Sequence, residues 1–296
     1  MVLNIILTLI ILVNGTFAVK FIKNLLANKN EAMNEPGNPI AMAISSFTLF
    51  FLSTFGISDF AISTVLYRKL KWTSDKKLPG TLNTQCVIPV AVMALSYISS
   101  ISVELKTLII AILAQVLGAY IGPRFVVKMN VDLIKKFISV GLLIAAGLIL
   151  MGKFGVYPSG GNEVGLVGFK LISLGILSFV FGALNNVGIG SYALTMATVY
   201  ALGLNPGVAF PIMMGACTFS VPVGSIQFIK YESYSRKITL FTSIFGSIGV
   251  LVAAFIVKSM NVSMLQWLVV AVLIYSAITM ISDIRKSEKN GVKVTA

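Results

Sequence analysis

The stretch Asn185-Asn186-Val187-Gly188-Ile189-Gly190-Ser191-Tyr192 interrupts an apolar run over 164–203, and Phe55-Gly56-Ile57-Ser58-Asp59-Phe60 interrupts another over 40–66. Written one above the other, FGISDFAIS (55–63) and VGIGSYALT (187–195) match in pattern at a separation of 132 residues, 187 against 55. Each is a small polar knot inside an oily segment. Backbone that leaves helical geometry at membrane depth must be buried in protein or line a wet cavity, because lipid cannot satisfy its N–H and C=O groups. Paired interruptions at corresponding places in two halves point to a transporter's binding site.

Composition sets the class. Of 296 residues, 57% are hydrophobic and 11% charged, and the mean hydropathy is +0.94. Soluble domains carry about a quarter charged residues. The chain therefore reads as an all-α polytopic membrane protein of roughly nine or ten segments of about 20 residues. The net charge of +13 does not point to nucleic acid. Lys and Arg sit in short loops between apolar runs, as in proteins oriented by their loop charges, and no basic face carries interleaved aromatics. The absence of His removes most hydrolytic and transition-metal chemistry. With no HExxH, no Cys–His pair and no second carboxylate to partner Asp59, an enzyme is not expected, and no cofactor or metal is assigned. Gly56-Ile57-Ser58-Asp59 carries the aspartate of an intramembrane aspartyl protease but the wrong residue before it. A GxxxxGK[ST] motif is missing too, so the driving force would be an ion gradient or the substrate's own. Cys86 and Cys217 lie in apolar segments and read as small packing residues.

Along the chain, Val2 to about Phe21 reads as one extra N-terminal helix, retained because it lacks a basic leader and a cleavage site. Together with a loop holding the helix stops Pro36, Gly37 and Pro39, it makes region 1–39. A first repeat covers 40–152: a re-entrant hairpin broken at Gly56 to Asp59, then spans at 81–101, 107–123 and 134–151. The hairpin legs, about 16 residues before the break and about 7 to 10 after it, are each too short to cross a bilayer. The second repeat, 153–283, has a hairpin over 164–203 broken at Asn185 to Gly190, then spans at 207–229, 237–257 and 263–282. Residues 284–296 form a basic tail. The halves echo beyond the breaks: CVIPVAV (86–92) matches FSVPVGS (219–225), and VKMNVDLIKKFISVGLLI (127–144) matches VKSMNVSMLQWLVVAVLI (257–274).

A hairpin plus three spans crosses the membrane an odd number of times, so the second copy is inverted relative to the first. The expected fold is thus two inverted-topology repeats, each a broken helical hairpin plus three transmembrane helices, after one extra helix. The basic loops 67–78, 124–136 and 230–236 and the tail are expected to be cytoplasmic, and the lightly charged loops and the N-terminus outside, in the cell membrane.

The second legs of the hairpins begin near Asp59 and Ser191. Helix N-termini present unpaired N–H groups and a partial positive charge, so two of them meeting at the midplane would make an anion site. Gly56, Gly188 and Gly190 would let backbone approach a ligand, and Ser58, Asn185, Asn186 and Ser191 add uncharged donors. The same glycines and asparagines also suit the plain capping of a packed break. Asp59 is the one carboxylate clearly within an apolar segment. Burial makes its ionised form costly, so it could couple proton movement to transport, coordinate a cation, or cap the helix. Asn83 and Gln85, after Pro79-Gly80-Thr81, could face the cavity or simply start a helix. Pro89 and Pro222 sit at matching positions inside spans, where proline kinks a helix. Gly118 and Gly122, four apart, permit close helix contact.

At these residues the chain resembles the TauE/SafE family of sulfite exporters, over about 40–283. The resemblance lies in the order of features in each half: a glycine-containing break, a helix opening like Pro79-Gly80-Thr81 or Asn205-Pro206-Gly207, a span such as Val116-Leu117-Gly118-Ala119-Tyr120-Ile121-Gly122, and a loop leading into Leu133-Ile134-Lys135-Lys136-Phe137. Gly188-Ile189-Gly190 is similar to the family's glycine cluster, whereas the first break has Ser58-Asp59 where members tend to carry glycines. The resemblance implies outward transport of a small anion, sulfite or another sulfur-containing or organic one. The alternatives are a cation- or proton-coupled carrier of a different solute with Asp59 as ion ligand, and a membrane assembly subunit that transports nothing. Expected partners are the anionic substrate and the lipid bilayer, with no nucleic acid; homo-oligomerisation stays open.

Overall fold

The computed structural model describes residues 2–74, 76–99, 101–121, 131–154, 161–185 and 191–289. In chain order the helices are α1 (Val2–Ala27), α2 (Lys29–Asn34), α3 (Pro39–Thr54), α4 (Asp59–Lys69), α5 (Leu78–Ile98), α6 (Leu105–Ile121), α7 (Val131–Lys153), α8 (Gly168–Asn185) and α9 (Tyr192–Ala201). A 3₁₀ turn, Pro206–Val208, leads into α10 (Ala209–Lys230); α11 (Arg236–Ser259) and α12 (Val262–Lys289) complete the set. Among the described residues the only β pairing is an isolated bridge, Glu163 with Leu204. Five stretches are long and apolar enough to cross a membrane: Asn4–Ala27, Gly80–Ile98, Pro206–Lys230, Arg236–Ser259 and Ser263–Lys286. Pro39–Thr54, Leu105–Ile121, Leu142–Met151 and Gly168–Leu184 are apolar but shorter. The chain is an all-helical protein of multi-pass membrane type.

Helix ends follow local chemistry. Asn38 starts α3 by accepting from the amides of Ile40 and Ala41, with Pro39 in the first turn. Pro79 likewise stands in the first turn of α5, where its missing N–H costs nothing. α4 stops in a left-handed turn at Lys71 (φ 53°), with the Trp72 amide donating to Tyr67 and the Lys71 amide to Arg68. α9 stops the same way at Gly203 (φ 86°), with Leu204 donating to Val199 and Gly203 to Tyr200. Both are Schellman caps, and 203 follows 71 by 132 residues. The first helix runs on past Phe21 to Ala27, because Lys20 and Lys23 are good helix formers as well as interface charges. The expected loop 24–39 accordingly holds the end of α1 and the short α2.

The described residues fall into two compact units that interleave along the sequence: Met1–Phe55, Asp59–Ser100 and Cys217–Lys258 in one, Gly56–Ser58, Ile101–Ala216 and Ser259–Ala296 in the other. Each therefore draws on both halves of the chain.

In the first unit α11 lies on α3 so closely that a Cβ on Gly249 would stand 2.4 Å from the Phe47 carbonyl oxygen. The α11 helix widens into a π turn over Thr242–Gly246. There a Cβ on Gly246 would meet Phe50 at 2.6 Å and Pro89 at 3.2 Å. Phe17 and Phe21 of α1 pack with Val87, Ile229 and Tyr234, and buried Asn14 donates to Thr218 Oγ1 at 2.9 Å. At one end a buried ionic knot ties the α2–α3 connection to the start of α11. Glu35 accepts from Ser235 Oγ (2.6 Å) and from the amides of Arg236 and Lys237. Lys237 Nζ donates to the carbonyls of Glu35 and Gly37 at 2.9 Å each. Arg236, 1% exposed, reaches Glu232 at 2.9 Å and Asn24 at 2.8 Å. Burial pushes the Tyr234 phenol up, and its hydroxyl donates to Asn24 at 2.7 Å.

In the second unit α6 and α8 are the closely packed pair. A Cβ on Gly118 would lie 1.9 Å from the Phe179 carbonyl oxygen, and one on Gly182 would lie 2.1 Å from that of Gln115. The expected close contact is made at Gly118; Gly122 lies outside the described residues. The connection before α8 is pinned to the start of α6, with Glu104 N donating to Val164 O (2.7 Å) and Leu166 N to Thr107 Oγ1 (2.9 Å). α7 packs against α12, where Lys153 Nζ reaches Ser263 Oγ at 2.9 Å and lies over the Trp267 ring. The glycine contacts of the two units correspond across the halves: Gly118 meets Phe179, Gly249 meets Phe47, and each second-half residue follows its counterpart by 131 or 132 positions.

Candidate functional site

The first break falls where the pattern placed it. α3 ends at Thr54 and α4 begins at Asp59. Phe55 caps α3, its amide donating to Leu52 and Ser53, and Gly56 takes φ 95°, a left-handed turn open to glycine at little cost. Tyr97 of α5 ties down the last turn of α3 by donating to the Thr54 carbonyl at 3.2 Å. Asp59 is 3% exposed. Its own amide, that of Phe60 and the hydroxyl of Ser53 face the carboxylate, with Ser53 Oγ to Oδ1 at 3.5 Å. Oδ2 is buried without a hydrogen-bond partner. A buried carboxylate oxygen left unmatched is costly, on the order of 1–3 kcal/mol or more.

A row of polar groups continues down α4 from Asp59 at four-residue spacing, the repeat of one helix face. Ser63 accepts from Gln85 Nε2 at 2.9 Å, and Tyr67 donates to Gln85 Oε1. All three are buried. Immediately before Gln85, Thr84 shares a hydrogen bond of 2.8 Å with Thr239 of α11. Gln85, which could face a cavity or simply belong to a helix start, is held between two α4 side chains; Asn83 is half-buried. Sequence reading missed Ser53, Ser63, Tyr67, Thr84 and Thr239. The spacing 59, 63, 67 was the available signal for two of them.

Around the second break, α8 ends at Asn185 and α9 starts at Tyr192. Asn186, Gly188 and Gly190 lie outside the described residues, as does the side chain of Asn185. Ser191 is buried, its carbonyl accepting the first helical bond of α9 from Thr195 at 2.9 Å, and its side chain makes no cap hydrogen bond. Thr195 and Thr198 extend the polar face of α9 and are buried too. Within this second unit Gly56 packs against α9 and α12: a Cβ on it would sit 2.4 Å from Met196 Cε and 3.6 Å from Val272 Cγ1. The tip of the first break is therefore dry at Gly56, and half-buried at Ser58.

Pro89 and Pro222 stand inside α5 and α10 as expected. Cys86 and Cys217 are buried free thiols. No group of three or more metal-ligating side chains occurs among the described residues. No protein-family model, curated protein or solved structure matches the chain.

Proposed function

We propose that the chain is a secondary transporter that exports a small anion across the cell membrane, by alternating access around its two broken helices. The observation that carries this reading is Asp59, a carboxylate buried at the start of a helix that follows a non-helical break inside an apolar stretch, with Oδ2 unmatched. An ionisable residue in such a position is a functional group by default. Its open oxygen is completed by a proton or by something a ligand brings. With the proton on, the carboxyl no longer repels an anion. With the proton off, the anion is expelled. Asp59 is thus the proton-coupling group, and Ser58, Ser191 and the Asn185–Gly190 segment are the substrate contacts.

The repeat reading gains support from the two Schellman caps at 71 and 203 and from the corresponding glycine contacts, Gly118 with Phe179 and Gly249 with Phe47. Inversion of the second repeat, with the N-terminus outside and the C-terminus cytoplasmic, remains part of the proposal, drawn from loop charge. The substrate class, sulfite or another sulfur-containing or organic anion, comes from the resemblance to the TauE/SafE family.

The test is flux in proteoliposomes. Purified protein is expected to move sulfite, thiosulfate or a small carboxylate saturably and faster with a proton gradient. Asp59→Asn is expected to fold and to lose the pH dependence, with flux reduced at least tenfold. Unchanged flux and pH dependence in that variant would remove Asp59 from the mechanism. Well-folded protein with no flux of any of these anions would end the exporter reading. The same open Oδ2 also suits a cation, so a sodium requirement that protons compete away would favour the cation-carrier alternative.

A further inference from the structure

Away from the breaks, a cavity of about 890 Å³ opens in the first unit where α4 stops and α5 and α11 start. Arg68, Lys71, Trp72, Thr73, Ser74 and Lys77 line it. The loop that supplies them, 67–78, carries five basic residues against one acidic. Glu35 is also on the wall, its oxygens turned to Ser235 Oγ and the amides of Arg236 and Lys237; against its one negative charge Arg68, Lys71 and Lys77 bring three positive ones.

Two further observations single the cavity out. Thr73 lines the cavity with its Oγ1 turned inward, buried with no hydrogen-bond partner, so a rotation of the side chain toward a ligand gives up no hydrogen bond. Lys71 holds a left-handed conformation (φ 53°) at the position where the corresponding cap of α9 has Gly203. That conformation costs a non-glycine residue about 1–2 kcal/mol, and the residue kept in it lines the cavity. Trp72, 6% exposed, forms a rigid wall by stacking on Tyr67 at 6.0 Å between ring centroids.

We propose that this cavity binds a phosphate ester. Arg68, Lys71 and Lys77 supply the positive charge, and the hydroxyls of Thr73 and Ser74 donate to the phosphate oxygens, the mix of guanidinium, ammonium and hydroxyl donors that suits a tetrahedral oxyanion. The volume exceeds what a bare ion needs and lies in the range of sites for small organic ligands, about 300–1,000 Å³. The ester therefore carries an organic body. An anionic phospholipid headgroup and a soluble phosphate monoester share this chemistry. This site is separate from the transport reading and stands or falls without it.

Trp72 is its own reporter, because the chain holds two tryptophans and the other is Trp267. In full-length Trp267→Phe protein in a maltoside detergent free of phosphate, Trp72 emission is followed during titration with short-chain phosphatidylglycerol and, separately, with glycerol 3-phosphate. A saturable change is expected with at least one. Response to the lipid alone identifies a headgroup; response to both identifies the phosphate ester in general. Adding Arg68→Gln with Lys77→Gln should weaken the response at least tenfold, whereas Lys286→Gln, an exposed charge on α12, should leave it unchanged. If the double variant does not fold, Lys71→Gly, which relieves the backbone, takes its place with the same expected loss. No saturable response to either ligand, or a response that the folded variants share with the parent, overturns the proposal.

Discussion

Lys71 and Asp59 each sit at a helix boundary in a state that their surroundings leave incomplete. For Lys71 the incompleteness is conformational. Lys71→Gly is expected to raise unliganded stability by about 0.5–1 kcal/mol, since glycine enters the left-handed region freely, offset in part by the extra freedom of the unfolded chain. A denaturation midpoint that falls would show that the Lys71 side chain holds the turn by contacts of its own. Asp59 was legible as the one carboxylate in an apolar stretch, but its neighbours were not. Gln85 illustrates why: its sequence context is a helix start, and only the packing of α4 on α5 turns it to Ser63 and Tyr67. Arg236 and Lys237 teach the converse. In the sequence they count as loop charges that set orientation; in the fold both are buried, Arg236 paired with Glu232 and the Lys237 ammonium held by the carbonyls of Glu35 and Gly37. Residue type told their charge and nothing of their partners.

Among the elements, the first break was readable and the contacts were not. Residues 56–59 interrupt an apolar run with small and polar side chains, and helix propensity and lipid solvation act locally, so the end of α3 at Thr54 and the start of α4 at Asp59 followed. The π turn over Thr242–Gly246 had no such signal; it goes with packing against Phe50 and Pro89. Helix pairing rests on glycines whose spacing hints at closeness without naming the partner. The structure puts Gly118 on Phe179 and Gly249 on Phe47, in each case against backbone that cannot yield as a side chain tip does. Gly118→Ala and Gly249→Ala are each expected to destabilise by about 1–3 kcal/mol through overpacking. Gly147→Ala, with nothing within 4 Å of its added methyl, is expected to be neutral or slightly stabilising. Thermal unfolding in detergent checks all three; equal midpoints for Gly118→Ala and Gly147→Ala would contradict the close packing of α6 on α8.

At the scale of the molecule, the sequence repeats divide the chain near residue 152, yet neither compact unit is built from one half. The first takes α11 from the second half and lays it on α3; the second takes α6 from the first half and lays it on α8. Sequence similarity reports common pattern, not which copy a helix packs against, so this exchange was invisible before the fold. Fragments 1–154 and 155–296 are each expected to aggregate when expressed alone and to yield a monodisperse complex when expressed together. A well-behaved single fragment, judged by size-exclusion chromatography, would count against the interleaving.

The ionic knot at Glu35 has a consequence for biogenesis. Its partner Ser235 lies 200 residues downstream, which at ordinary translation speeds of about 5–20 residues per second is a delay of roughly 10–40 s. During that interval α3 to α10 are made one after another, and the closing helix α11 is not yet synthesised. The nascent protein waits with a carboxylate and the α3 surface uncovered, so insertion and final folding are separate events in time. A chaperone or insertase that shields this surface would then act on the first helices made and let go only when α11 emerges.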